Sequence, residues 1–196
     1  MAWAKLGTDT NLSPDTGLSV TPTTPVKFNH FLFHTDTTAT ATNALTVNSS
    51  GTAGTSYADR RSVNGASDVV ATSQPYITST PNTGANYEHF TRGYWINISG
   101  EEKLFIYHTV TAETTGAGTA PQRREAVSKY ANTALGDGST QVDVVSGNLD
   151  TGSNLTVLTG DETETTRAVQ DGTIFEETDT NKAYIWSSSS QTWTQL

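Results

Sequence analysis

The sequence predicts an all-β protein, a jelly-roll-like antiparallel β-sandwich followed by a small C-terminal β-meander, on three observations. Threonine supplies 37 of the 196 residues, and its β-branched side chain suits a half-buried pleated surface better than a helix. Helix signals are nearly absent: residues 122–130 have some helical character, but nothing around them supplies a cap and an apolar stripe, so they read as a strand. Short runs are punctuated by Gly, Pro, Asn, Asp and Ser at spacings of about 8–12 residues, the rhythm of a sandwich, jelly roll or barrel. Leu, Ile, Val and Phe make up only about 18% of the chain. The 4 Trp, 7 Tyr and 6 Phe, with a net charge of only −9, set it apart from disordered sequences.

In order along the chain, residues 25–35 (PVKFNHFLFHT) are aromatic on both faces and read as a central strand. Residues 44–47 form a short strand; 57–61 and 73–79 follow, with an Asn64-Gly65 turn between them. The clearest hairpin joins 93–99 to 103–111 through Ser99-Gly100-Glu101-Glu102. In its second arm Leu104, Ile106 and Val110 fall on one face, and Phe105, Tyr107 and Thr109 on the other. Residues 125–132, 140–145 and 154–158 bring the set to roughly eight strands. The threonine-rich stretches 35–42 and 49–56 are too polar for a core and read as surface loops or edge segments.

The sandwich is expected over residues 1–158, an acidic linker over 159–171 and the meander over 172–196. Taking 178–181 as a turn sets Glu177 opposite Lys182, Phe175 opposite Tyr184 and Ile174 opposite Ile185. Such cross-strand pairs contribute about 0.2–1 kcal/mol each. A second turn at 188–191 brings Trp186 close to Trp193. A meander this short is marginal alone and is expected to lean on the main domain or a neighbouring copy.

Composition narrows the function. Eleven basic residues face twenty acidic ones, the wrong balance for a nucleic-acid groove or an anionic membrane surface. With no Cys there is no disulfide framework, thiol nucleophile or Cys-ligated zinc. The first residues lack an apolar signal core, which predicts synthesis in a cytoplasm without a cleaved export signal.

Candidate chemistry is thin. His30 and His34, four apart on a strand, share a face and with Asp36 resemble part of a metal site, but nothing of the form HExxH accompanies them, so no metal or cofactor is expected. The carboxylate pairs Glu101/Glu102 and Glu176/Glu177 sit in a turn or point to opposite faces, unlike a glycosidase pair. The Gly-rich stretch 114–121 lacks a Walker lysine. No nucleophile motif is present, so the protein is expected not to be an enzyme. Tyr57, Tyr76, Tyr87, Tyr94, Trp95, Trp186 and Trp193 are candidates for stacking on sugars, with Trp95, Tyr94 and Tyr57 foremost; core packing and inter-subunit contact compete for the same residues.

Residues 54–65 (GTSYADRRSVNG), 98–104 (ISGEEKL), 116–125 (GAGTAPQRRE), 129–133 (KYANT), 150–158 (DTGSNLTVL) and 171–180 (DGTIFEETDT), with Tyr184, Trp186 and Trp193, resemble phrases in virion proteins of tailed phages and related prokaryotic viruses. The resemblance spans about residues 54–196 and carries no catalytic residues. It implies a β-sandwich component of a virus particle (capsid, capsid decoration or tail-associated), assembled in the host cytoplasm with copies of itself, a trimer among the options, and with other virion proteins. Tyr184, Trp186 and Trp193 are the interface candidates, since thin apolar content gains most from symmetric neighbours. Arg123 and Arg124, with Arg60 and Arg61, are suited to pairing with acidic patches on adjoining subunits or within the chain. The competing expectation is a receptor- or carbohydrate-binding module of a viral adhesion device, contacting a host-surface glycan.

Overall fold

The computed structural model describes residues 4–37, 42–48, 54–79, 88–112, 116–160, 172–177, 182–187, 189–190 and 192–196. The chain divides into two compact units, residues 1–161 and 162–196.

Among the described residues the first unit has twelve strands and no helix: β1 (Ala4–Thr10), β2 (Gly17–Val20), β3 (Phe28–Thr35), β4 (Asn43–Val47), β5 (Tyr57–Val63), β6 (Val69–Gln74), β7 (Ile77–Thr78), β8 (His89–Ile96), β9 (Lys103–Thr111), β10 (Gln122–Tyr130), β11 (Thr140–Val144) and β12 (Asn154–Thr159). Eight form one antiparallel sheet in the order β1-β12-β3-β8-β9-β10-β5-β6, and four form a second, β2-β11-β4-β7. The antiparallel β-sandwich predicted from the sequence is therefore the fold.

Three local expectations are corrected. The strand expected over 73–79 is two strands in different sheets. Pro75 between them has no N–H for a ladder, and Ser73 sits at φ 55° beside a register shift in the β5–β6 pairing, a bulge that turns the chain away. Thr159, assigned to the linker, ends β12 and donates its hydroxyl to the Phe28 carbonyl at 2.9 Å. Thr37, in a stretch expected to be a surface loop or edge segment, is buried, as is Thr35, where the expected strand 25–35 ends; the Thr35 hydroxyl accepts from Asn43 Nδ2 at 2.6 Å. Strands β1 and β2 escape the sequence reading because their compositions, AKLGTDT and GLSV, give too few apolar positions to show alternation. The Asn64-Gly65 turn is present, with both residues at positive φ, 53° and 77°, and closed by the Ala66 N–H to the Val63 carbonyl at 3.0 Å; it opens a five-residue connection, 64–68, between β5 and β6.

The core lies between the sheets. Phe31, Phe33, Trp95, Phe105 and Tyr107 from the large sheet pack with Leu18, Val20, Leu45, Val47, Ile77 and Val142 from the small one. Three large-sheet aromatics also carry a polar tip across the gap. Trp95 Nε1 donates to Thr140 Oγ1 at 3.0 Å, the Tyr107 hydroxyl donates to the Thr78 carbonyl at 3.0 Å, and the Tyr57 hydroxyl accepts the Val47 N–H at 3.0 Å. Each strut buries a large ring and satisfies a group that would otherwise be desolvated without a partner.

The second unit is a three-stranded antiparallel sheet, β13 (Ile174–Glu177), β14 (Lys182–Ser187) and β15 (Thr192–Gln195). Its register is the predicted one: Ile174 faces Ile185, Phe175 faces Tyr184, Glu177 faces Lys182, and Trp186 faces Trp193. The turn at 178–181, residues 188 and 191 of the second turn, and 161–171 of the expected linker lie outside the described residues.

Candidate functional site

The outward face of the eight-stranded sheet is the most unusual surface of the first unit. Strand pairing aligns one outward row across all eight strands: Lys5, Leu158, His30, Tyr94, Ile106, Val127, Arg60 and Val70. Ile106 is 59% exposed, Leu104 52% and Val127 49%, and Phe90, Tyr94 and Val110 are similarly open. On β9 the apolar face expected at Leu104, Ile106 and Val110 points to solvent, while Phe105, Tyr107 and Thr109 point inward. A shallow depression of about 440 Å³ lies among Ala58, Arg60, Leu104, Ile106, Val127 and Lys129.

Charges surround this apolar area. Lys129 pairs with Glu102 at 2.8 Å, Arg60 with Asp68 at 3.4 Å and Arg123 with Glu125 at 3.5 Å. All six side chains are well exposed, so each pair is worth no more than about 1 kcal/mol. Lys5 and Arg92 have no ion pair among the described residues. Tyr94 stacks on His30 with centroids 4.4 Å apart. Burial, and secondarily the Arg92 charge, hold the His30 imidazole below its ordinary pKa.

Beneath β5, β9 and β10 lies a buried polar cluster. Arg61 Nη1 binds Asp59 Oδ2 at 2.6 Å, and Arg124 Nη1 donates to the same Thr78 carbonyl that receives the Tyr107 hydroxyl. Burial pushes the Tyr107 phenol up to about 12, against the opposing pull of the Arg124 charge. The same desolvation lowers Arg124.

These placements correct several sequence assignments. Trp95 and Tyr57 are 1% and 2% exposed, so neither presents a ring to a glycan. Trp95 stacks on Phe105 at 6.0 Å and Tyr57 on Tyr130 at 4.7 Å. Arg124 is 4% exposed and belongs to the interior cluster, not to a subunit interface. Tyr94 and Arg123 do face outward. Tyr76 is half-buried in the bend between β6 and β7, and Tyr87 lies outside the described residues. In the meander Phe175, Tyr184, Trp186 and Trp193 share one face. Phe175 meets Trp193 edge-on at 6.1 Å, and Trp186 lies 5.4 Å from Trp193.

His30 and His34 both sit half-buried on the outward side of β3; among the described residues no group of three or more His, Asp or Glu is placed to hold a metal ion. Glu102 is engaged by Lys129. The signal for an apolar outward surface in the sequence is the unbroken run Leu104–Tyr107 on β9, which puts apolar residues on both faces of the strand. No family model, curated protein or solved structure matches the chain.

Proposed function

We propose that the protein is a non-catalytic structural component of a virus particle, a capsid, capsid-decoration or tail-associated protein that acts by protein–protein assembly. The observation that carries this reading is the aromatic face of the meander. Four large rings crowd one side of a three-stranded sheet, and Phe175 and Trp193 stay 52% and 41% exposed. Fully burying an exposed ring is worth about 1.5–3 kcal/mol, so covering one already half-buried is worth about 1 kcal/mol, and a neighbouring subunit supplies that cover at no cost to the fold. The resemblance of residues 54–196 to virion proteins gives the setting: assembly in a host cytoplasm with copies of itself and other virion proteins. Cryo-electron microscopy of the particle tests it. The protein is expected at symmetry-related positions, and its absence from purified particles overturns the reading.

One observation favours a second role, glycan recognition in a viral adhesion device. Tyr94 is 44% exposed and held flat against His30, a ring surface of the kind sugars stack on. Binding on a glycan array, lost in Tyr94→Ala with the fold intact, is its signature.

A further inference from the structure

We propose that the outward face of the eight-stranded sheet is a self-association surface that seats against an acidic surface of a second copy of this chain; this rests on the assembly reading and names its partner and its place. Leu104, Ile106 and Val127 lie together on β9 and β10 with Tyr94 of β8 opposite Ile106, and Phe90 of β8 faces Val110 beyond the polar row Arg92–His108–Glu125; all six apolar side chains are near half exposure. An exposed apolar surface with aromatic members, crossed and rimmed by charged side chains, has the anatomy of a protein interface.

Charge selects the occupant. The strands of this face point outward five of the chain's eleven basic side chains, Lys5, Arg60, Arg92, Arg123 and Lys129, and one carboxylate, Glu125. Asp68 and Glu102 reach it from adjoining turns. The rest of the sequence therefore holds seventeen of the twenty acids and only six bases. Two such faces stacked on each other would bring like charges together. The same face set on the acidic remainder of another copy gives Lys5 and Arg92 the counter-charges they lack. That contact is head-to-tail, and repeated around an axis it closes a ring.

The size is sufficient. Four outward positions on each of β3, β8, β9 and β10, three on each of β1, β5 and β12 and one on β6, at about 6.7 Å along and 4.8 Å between strands, give a footprint of roughly 800 Å². That is about the 800 Å² each partner contributes to a standard stable interface.

Sedimentation of the purified full-length protein tests this without reference to any particle. In about 0.1 M salt the protein is expected to associate in a concentration-dependent way. Ile106→Glu combined with Val127→Glu should raise the dissociation constant at least tenfold with an unchanged circular dichroism spectrum. Both positions are exposed, so folding is not at stake; should the double variant nevertheless misfold, Arg92→Glu serves in its place. Salt at about 1 M, which shortens the Debye length from about 10 to 3 Å, should weaken association at least tenfold. A protein that stays monomeric at about 100 μM, an association unchanged by the variants, or one indifferent to salt overturns the proposal. If Trp193→Ser abolishes association and Ile106→Glu/Val127→Glu does not, the sheet face is excluded while the assembly reading survives. A monomer found at symmetric positions on particles also excludes the sheet face alone.

Discussion

Phe31 of β3 lies directly opposite Gly93 of β8, and its ring fills the space a side chain at 93 would need. A Cβ there would fall 2.6 Å from Tyr107 Cβ and 2.7 Å from the Ile106 carbonyl oxygen, and backbone cannot yield as a flexible side chain can. Gly93→Ala should therefore cost about 1–3 kcal/mol, the range for overpacked cores, read as a lower urea midpoint. An unchanged midpoint would show that β8 and β9 separate more easily than their pairing implies.

Trp95 should behave as a structural strut. Trp95→Ala is expected to cost about 3–5 kcal/mol as a large-to-small core change. Trp95→Phe removes the bond to Thr140 Oγ1 and some volume, and should cost less, about 1–2 kcal/mol. Equilibrium denaturation of the two variants gives the ordering. Loss of glycan binding in Trp95→Ala would report unfolding, which makes Tyr94 the residue on which to test recognition.

Asp59 is the carboxylate facing the buried Arg124 and the half-buried Arg61. Asp59→Asn should cost about 3 kcal/mol, since it leaves Arg61 and Arg124 without their counter-charge. Arg124→Met keeps the Asp59–Arg61 pair and leaves Thr78 the Tyr107 donor, so its cost should stay within about 1 kcal/mol. Thermal denaturation of both variants decides; equal costs would mean that Arg124, not the carboxylate, anchors the cluster.

His89 should make the fold acid-sensitive. Its ring is fully buried, Nδ1 lies 2.9 Å from Thr111 Oγ1, and burial, with a smaller push from His34, lowers its pKa to about 4. Between about pH 6.5 and 4 the unfolded chain takes up a proton that the folded protein does not. Stability should fall as pH falls through that window, by about 3 kcal/mol in all. Urea midpoints measured across it should slope less steeply in His89→Gln; an identical slope would assign the acid sensitivity to other groups.

The fold class was legible because it rests on period and punctuation: β3, β5, β9, β10, β11 and β12 all lie where alternation and turn residues put them. The meander was legible to the register, since its cross-strand partners follow from one turn length. Which face of each strand turns inward was harder to read, and β8 shows why. Its buried positions are His89, Thr91, Gly93 and Trp95, and its exposed ones include Phe90 and Tyr94. Polarity is partly inverted relative to burial, so Trp95 and Tyr94 look equally available in the sequence. On β10 the same inversion hides Arg124 inside and leaves Val127 outside. An apolar outer surface and a polar cluster in the interior both erase the contrast that sequence reading depends on.

The pairing of β1 with β12 joins Ala4 to Thr159 and Thr10 to Asn154, and among the described residues β12 alone links β1 to the rest of its sheet. Strand β1 thus gains its ladder partner across a span of nearly 150 residues, with only β2, through the Ser19 N–H to Asp9 bond, near it in sequence. Closing so long a span is slow, so this pairing belongs among the late events of folding, after the local hairpins have formed.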